Sequence, residues 1–303
     1  MPWAMRRLVT AHEPRRSQGY SAAGRAMIVN ARMYSVTPEA ADRWRRLLSA
    51  IVAAAGVRAG VVEHAPPAPL ADLWHRDDLG AVFMCGLPYS QAAPQAVALA
   101  APVPSPAEFS DEPVYWSDFV AHTDSGIRQV EDAFGGRIAF TVPDSQSGCM
   151  AALSDLAGRR PNPDRPLFRE VVAPTITPLG ALSAVVSGAA EIAPIDSYAF
   201  RLLQRFEPAL TAAVRVVGQT ARTPIPLLVA TPPGSDALRS AFLQAHREPA
   251  SACLMGELLL QRFTQPDPAS YDILRERAAA AGRQWMAHRF AAVVHPAFQA
   301  LLG

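Results

Sequence analysis

Residues 138–148 read Ile138-Ala139-Phe140-Thr141-Val142-Pro143-Asp144-Ser145-Gln146-Ser147-Gly148, an apolar run, a proline break and a small polar cluster. The run from Arg137 to Val142 is apolar and β-branched, and Gly135-Gly136 before it forms a turn, so it reads as a buried strand. Pro143 stops the ladder. Cys149, Met150, Leu153, Leu156 and Ala157 then recur at helical spacing until Gly158 supplies a left-handed stop. The unit is a strand that delivers a helix N-terminus to an edge, and Ser145 to Ser147 open that helix. Such a terminus presents unpaired N–H groups and about half a positive charge, and hydroxyls there add donors suited to an oxyanion. The same serines serve equally as plain N-caps. Both readings stand at this level.

The 303 residues are 50% hydrophobic and 18% charged, enough to bury a sizeable core in one large or two modest domains. Lys and Arg total 28 against 27 Asp and Glu, so no bulk charge favours nucleic acid or an anionic membrane, and any charge selectivity is local. No apolar run approaches the roughly 18 residues needed to span a bilayer, so no membrane insertion is expected. Cys85, Cys149 and Cys253 form neither a disulfide framework nor a metal cluster by spacing. His288 and His295 share a helix face at best, with Pro296 following and no third ligand evident. No metal and no cofactor is expected.

Residues 1–26 carry five arginines and lack the apolar core of about 7 to 15 residues that a secretory signal needs, so they read as a disordered leader. A start at Met27 fits the same observation. From there the chain alternates. Met27 to Tyr34 reads as a strand, Thr37-Pro38 as N-cap and first residue of a helix to Ala55, and Gly56 as its stop. Strands follow over Val57–Glu63 and Leu79–Met84, the latter ending at Cys85-Gly86-Leu87-Pro88-Tyr89. The stretch from Pro102 to Pro113 reads as a loop, and Val114 to His122 as a strand that crosses to a second lobe. Leu167–Val172 and Ile192–Ile195 are further strands, the last delivering Asp196 and the helix Ser197–Phe206. Val214–Val217 and Ile225–Val229 return, and the apolar clusters after Leu238 read as helical. This alternation indicates parallel sheets covered by helices.

Three stretches together carry a family resemblance. They are Cys85 to Tyr89, the Ser145-Gln146-Ser147-Gly148 helix start, and Leu182-Ser183-Ala184-Val185-Val186-Ser187-Gly188-Ala189-Ala190-Glu191-Ile192-Ala193-Pro194-Ile195-Asp196-Ser197. In that order and spacing the chain resembles the phosphate/phosphite/phosphonate-binding proteins of ABC importers, over roughly Met27 to Thr231. The resemblance implies an α/β type II periplasmic-binding fold, two lobes of mainly parallel sheet flanked by helices with the ligand in the cleft. Residues 27–117 and 218–303 are expected to form lobe 1, and 118–217 lobe 2.

The resemblance further implies that the phosphoryl oxygens sit on Ser145, Gln146 and Ser147, with Asp196 and the aromatics Tyr34 and Tyr89 completing the ligand site. Each falls near the C-terminal end of an expected strand, where open α/β sheets bind ligands. An ionised Asp196 would accept a hydrogen bond from a protonated phosphoryl oxygen and repel a fully deprotonated anion such as sulfate. It would equally cap the helix from Ser197. For Tyr34 and Tyr89 the plain alternative is packing at a strand end. The chain departs from its relatives at Pro178, where a histidine is frequent.

The implied partners are a small oxyanion ligand and an ABC transporter permease. The location implied by the family is periplasmic, while the leader without a visible signal fits the cytoplasm. Two alternatives share the fold. One is an enzyme using Cys149 or Asp196, the other a cytosolic ligand sensor. G-x-S-x-G, P-loop and H-E-x-x-H signatures are absent. A buried Cys149 would favour binding alone over catalysis.

Overall fold

The computed structural model describes residues 26–92, 95–159, 165–287 and 291–294. The expected leader lies outside them except for Ala26, as do His288 and His295. In chain order, β1 (Met27–Asn30), α1 (Pro38–Ala55), β2 (Ala59–Val61), α2 (Leu70–Trp74), β3 (Leu79–Met84), α3 (Gly86–Ala92) and β4 (Val97–Pro104) come first. After the short β5 (Val114–Tyr115) follow β6 (Ser117–His122), β7 (Arg137–Ala139), a π-helical turn (Gln146–Met150) running into α4 (Ala151–Gly158), β8 (Phe168–Val172), α5 (Pro178–Val186), β9 (Ile192–Asp196), α6 (Ser197–Phe206), α7 (Pro208–Thr211) and β10 (Val214–Gln219). The chain returns through β11 (Thr223–Pro224) to β12 (Leu227–Ala230), α8 (Asp236–Gln244), α9 (Pro249–Glu257), β13 (Leu260–Thr264), α10 (Asp272–Ala287) and β14 (Ala291–Val294).

Two six-stranded sheets result, ordered β13-β4-β12-β3-β1-β2 and β10-β6-β9-β7-β8-β14. β1 pairs parallel with β2 and β3, and β7 pairs parallel with β8 and β9, so each sheet has a parallel heart. β12 and β13 run antiparallel in the first sheet and β6 in the second. The arrangement agrees with the expected two lobes, each built on its own sheet. Local signals act as written in the sequence. Thr37 Oγ1 accepts the Ala40 N–H at 3.1 Å, Pro38 opens α1, and Gly56 closes it at φ 63°. Trp44, Leu47, Leu48 and Ile51 on that helix are buried, each contributing about 1.5–3 kcal/mol of transfer free energy.

Four expectations need correction. β4 passes through Pro102 and Pro104, read above as loop, because β12 pairs only up to Ala100 and the prolines are bordered by β13 alone. Leu260–Thr264 and Ala291–Val294 are strands where helix was expected, since short apolar runs do not separate the two by periodicity. β14 pairs with β8 in the second sheet, so the stretch 218–303 does not belong wholly to the first. The second sheet also begins at Ser117 and runs to Gln219, slightly wider than 118–217.

At the crossing, β5 and β11 pair antiparallel. Beside them Asp118 is fully buried on β6, where its Oδ1 accepts from Trp116 Nε1 at 2.9 Å and Gln219 Nε2 at 2.7 Å. Arg201 of α6 lies 3.1 Å from its Oδ2 and also bridges to Glu108 before the crossing. These bonds tie the two halves of the chain where they exchange strands.

Candidate functional site

The C-terminal ends of β1, β3, β7, β8 and β9 converge on one cavity of about 400 Å3 between the two sheets. The first sheet contributes Arg32, Met33 and Val36 after β1, the loop 66–71 with Trp74, and Cys85 at the end of β3. The second contributes Thr141 to Gly148 in part, Ile176 to Leu179, and Ile195-Asp196. This is the crevice position that open α/β sheets use.

The helix start is built tightly. Ser145 Oγ accepts the Gly148 N–H at 3.0 Å, so this serine is an N-cap as well as a cavity residue. Thr141 N donates to Gly148 O, and a Cβ on Gly148 would stand 2.0 Å from Thr141 Oγ1, so only glycine admits this approach. Ser117 Oγ donates to Ser147 O at 2.7 Å and fixes the turn from the adjacent strand. Gln146 N donates to Cys85 Sγ at 3.4 Å across the cleft, and burial pushes that thiol up to about 11.

Buried polar atoms gather here without partners. Thr141 is 5% exposed, lines the cavity, and its Oγ1 has no hydrogen-bond partner. Gln146 Oε1 is likewise unpartnered, and the buried Tyr115 hydroxyl sits beside Ser147 and Cys85 without hydrogen-bonding geometry. Such groups are costly unless a ligand or solvent satisfies them.

Asp196 faces the helix start. Its Oδ1 accepts the Ala199 N–H at 2.9 Å and caps α6, while its Oδ2 lies 3.4 Å from the Tyr34 hydroxyl. Burial pushes its carboxyl up to about 7, against the opposing pull of hydrogen bonds from Ala199, Tyr198 and Tyr34. Asp196 therefore caps α6 and also lines the cavity.

Of the six candidate ligand residues, Ser145, Ser147 and Asp196 line the cavity. Gln146 reaches the site through its backbone and is otherwise buried behind it. Tyr34 is fully buried between Trp44, Phe83 and Tyr198, and touches the site only through Asp196. Tyr89 is a correction. It packs edge-on against Tyr271 at 5.2 Å and does not line the cavity, because α3 turns it toward α10. Cys149 is fully buried outside the lining, and burial raises its thiol well above the ordinary range.

The lining residues missed from sequence include Thr141, Arg32, Trp74 and Ile176. Thr141 carried one signal, a polar residue at the end of an apolar strand. The others are brought in by tertiary placement alone.

Residues 35–271 match the family model described as ABC transporter, phosphonate, periplasmic substrate-binding protein. The chain belongs to this family. A search of curated proteins finds no significant match. Among solved structures, the binding protein is similar to the binding component of a phosphonate ABC transporter from Pseudomonas aeruginosa, with TM-score 0.72 and 16% identity, covering 86% of this chain and 88% of that one. It is also similar to a Prochlorococcus marinus protein, PhnD1, in complex with methylphosphonate, with TM-score 0.69, 16% identity and coverages of 86% and 98%. A Xanthomonas citri protein bound to ATP shares the fold at TM-score 0.58 and 16% identity, with coverages of 86% and 98%. The family is periplasmic, and among the described residues no helix is long and apolar enough to cross a membrane.

Proposed function

We propose that this binding protein closes its two lobes around a phosphonate- or phosphate-like oxyanion in the periplasm and presents the closed form to the permease of an ABC importer. The observation that carries the reading is the facing pair of Thr141–Ser147 and Asp196 across one cavity, with the Thr141 hydroxyl buried and unpartnered. Ser145, Ser147 and Thr141 offer hydroxyls, the helix start adds its dipole, and Asp196 accepts from a protonated ligand oxygen. Arg32 supplies the cation among the described lining residues.

The enzyme alternative loses its thiol, because Cys149 is buried and burial raises rather than lowers its titration. Calorimetric titration with phosphate, methylphosphonate and sulfate tests the reading. Binding of either phosphoryl ligand with rejection of sulfate is expected, and no heat with any phosphoryl compound would overturn it.

A further inference from the structure

The cavity is far larger than a phosphoryl head with a single methyl group requires. At about 400 Å3 it falls among pockets of roughly 300–1,000 Å3 that enclose whole organic ligands. Besides Thr141 and the serines the polar lining residues include Asp144, Asp196, Arg32 and Thr177, and the rest of its walls are largely apolar. Met33, Val36, Leu70 and Trp74 face it from the first lobe, and Ile176 and Leu179 from the second. Trp74 has its one polar atom engaged, Nε1 donating to Phe83 O at 2.9 Å, so what it offers the cavity is ring.

The second lobe's wall is built at a cost. Ile176 holds φ +66°, a conformation that a β-branched residue rarely adopts and that costs on the order of 1–3 kcal/mol. Its surroundings enforce it. Ile176 N donates to Thr141 O, Thr175 N to Phe140 O, and Thr177 Oγ1 caps Gly180 N at 3.0 Å. A Cβ on Gly180 would meet Thr175 O at 2.1 Å, so α5 seats against this turn only because that residue is glycine. The turn thus places a branched apolar side chain at the cavity. Pro178 beside it has no N–H, so the start of α5 presents carbon where the start at Ser145 presents donors. On the opposite wall the Arg32 guanidinium donates to Ala68 O and holds the proline loop 66–71 in place.

Resting on the oxyanion reading above, we propose that the physiological ligand is an organophosphonate or phosphate monoester with a ring-sized apolar substituent. Its phosphoryl head sits at Thr141, Ser145 and Ser147, and its substituent packs between Trp74 and Ile176-Leu179. Ile176 and Trp74 are specificity-determining residues, and the phosphoryl group is shared by the two ligand sources.

Calorimetric titration with methylphosphonate, phenylphosphonate, phenyl phosphate and benzoate tests this. Phenylphosphonate or phenyl phosphate should bind about tenfold or more tightly than methylphosphonate, through apolar area removed from water. Trp74→Ala should shrink that preference to near unity, the loss falling on the aryl ligands more than on methylphosphonate. Ile176→Gly, which suits a positive φ, should also lose the preference without lowering the melting temperature. That variant separates lost contact from lost folding. Methylphosphonate binding as tightly as the aryl ligands would overturn the inference and leave the oxyanion reading intact. Benzoate binding as tightly as phenylphosphonate, or no phosphoryl compound binding at all, would overturn both.

Discussion

The Tyr34 hydroxyl lies 3.4 Å from Asp196 Oδ2, joining the turn after β1 in the first sheet to the end of β9 in the second. Tyr34 is held from the other side by Tyr198 at a ring separation of 4.7 Å, so the contact is enclosed by aromatic carbon. Together with the Gln146 N–H to Cys85 bond it bridges the lobes at the floor of the cavity. Among the described residues no cation pairs with the Asp196 carboxylate, which is held by hydrogen bonds, and burial dominates its titration.

The first prediction follows from that burial. A carboxyl pushed up to about 7 contributes stability that is fully present below its unfolded value near 3.9 and is lost as pH rises through 7. Asn at the same place keeps an oxygen for the Ala199 N–H and carries no charge. Asp196→Asn should therefore melt above wild type by a margin that grows from pH 5 to pH 7 and levels off by pH 8.5. Thermal denaturation across that range checks it, and a gap that does not grow with pH would show that Asp196 ionises without penalty.

A second prediction sets stability against binding at Thr141. Its hydroxyl is buried and unpartnered, so Thr141→Val should raise the stability of the free protein by about 1 kcal/mol, the low end of the penalty for an unsatisfied group. The same change should weaken phosphoryl ligands by about tenfold, the loss of one hydrogen bond to a charged group. Urea unfolding and calorimetry on one variant give both signs. Lower stability together with unchanged affinity would mean that the hydroxyl serves the fold.

Thr141 also illustrates what the sequence could carry. The strand, the proline break and the serine-led helix start were legible in residues 138–148, because strand pattern, Pro and small polar residues act locally. Asp196 was legible for the same reason, standing between an apolar strand and an amphipathic helix. Trp74 was not, since what brings it to the cavity is the path of the loop 66–71 into α2. Tyr89 misled because a strand-end position says nothing about which way the next helix turns its face. β4 was hidden by Pro102 and Pro104, whose tolerance depends on which neighbour strand has already ended. The helix-like reading beyond Leu238 failed at β13 and β14, where partners on β4 and β8 decide the structure.

A third prediction concerns the crossing. Removing Arg201 leaves Asp118 fully buried without its cation, a change worth about 3–5 kcal/mol. Burial already raises the Asp118 carboxyl despite the guanidinium, so its loss raises it further. By the same sign rule as for Asp196, the damage is greatest at neutral and alkaline pH and smaller where the carboxyl is protonated. Arg201→Ala should thus show a lowered melting temperature that recovers partly toward pH 5. A deficit independent of pH would assign it to lost packing of the guanidinium over the Phe200 ring.

The last prediction joins the two sides of the proposed anion site. Ser147 lines the cavity with its backbone carbonyl anchored by Ser117, so Ser147→Ala removes a hydroxyl without freeing the turn. Binding of phosphoryl ligands should weaken by about 1–3 kcal/mol, the range for hydrogen bonds to charged groups, and folding should change less. Asp196→Asn should act on discrimination instead. Above pH 7, where Asp196 is ionised, the carboxylate accepts from a protonated phosphoryl oxygen and repels an anion that has no proton to give, whereas the amide can donate to either. Sulfate, rejected by wild type, should then gain measurable affinity in the Asn variant while methylphosphonate changes little. Calorimetry of both variants with phosphate, methylphosphonate and sulfate separates the two roles. Equal losses for every ligand in Asp196→Asn would mean that the residue shapes the cavity without reading the ligand's proton, and unchanged affinities in both variants would move the anion site away from this helix start.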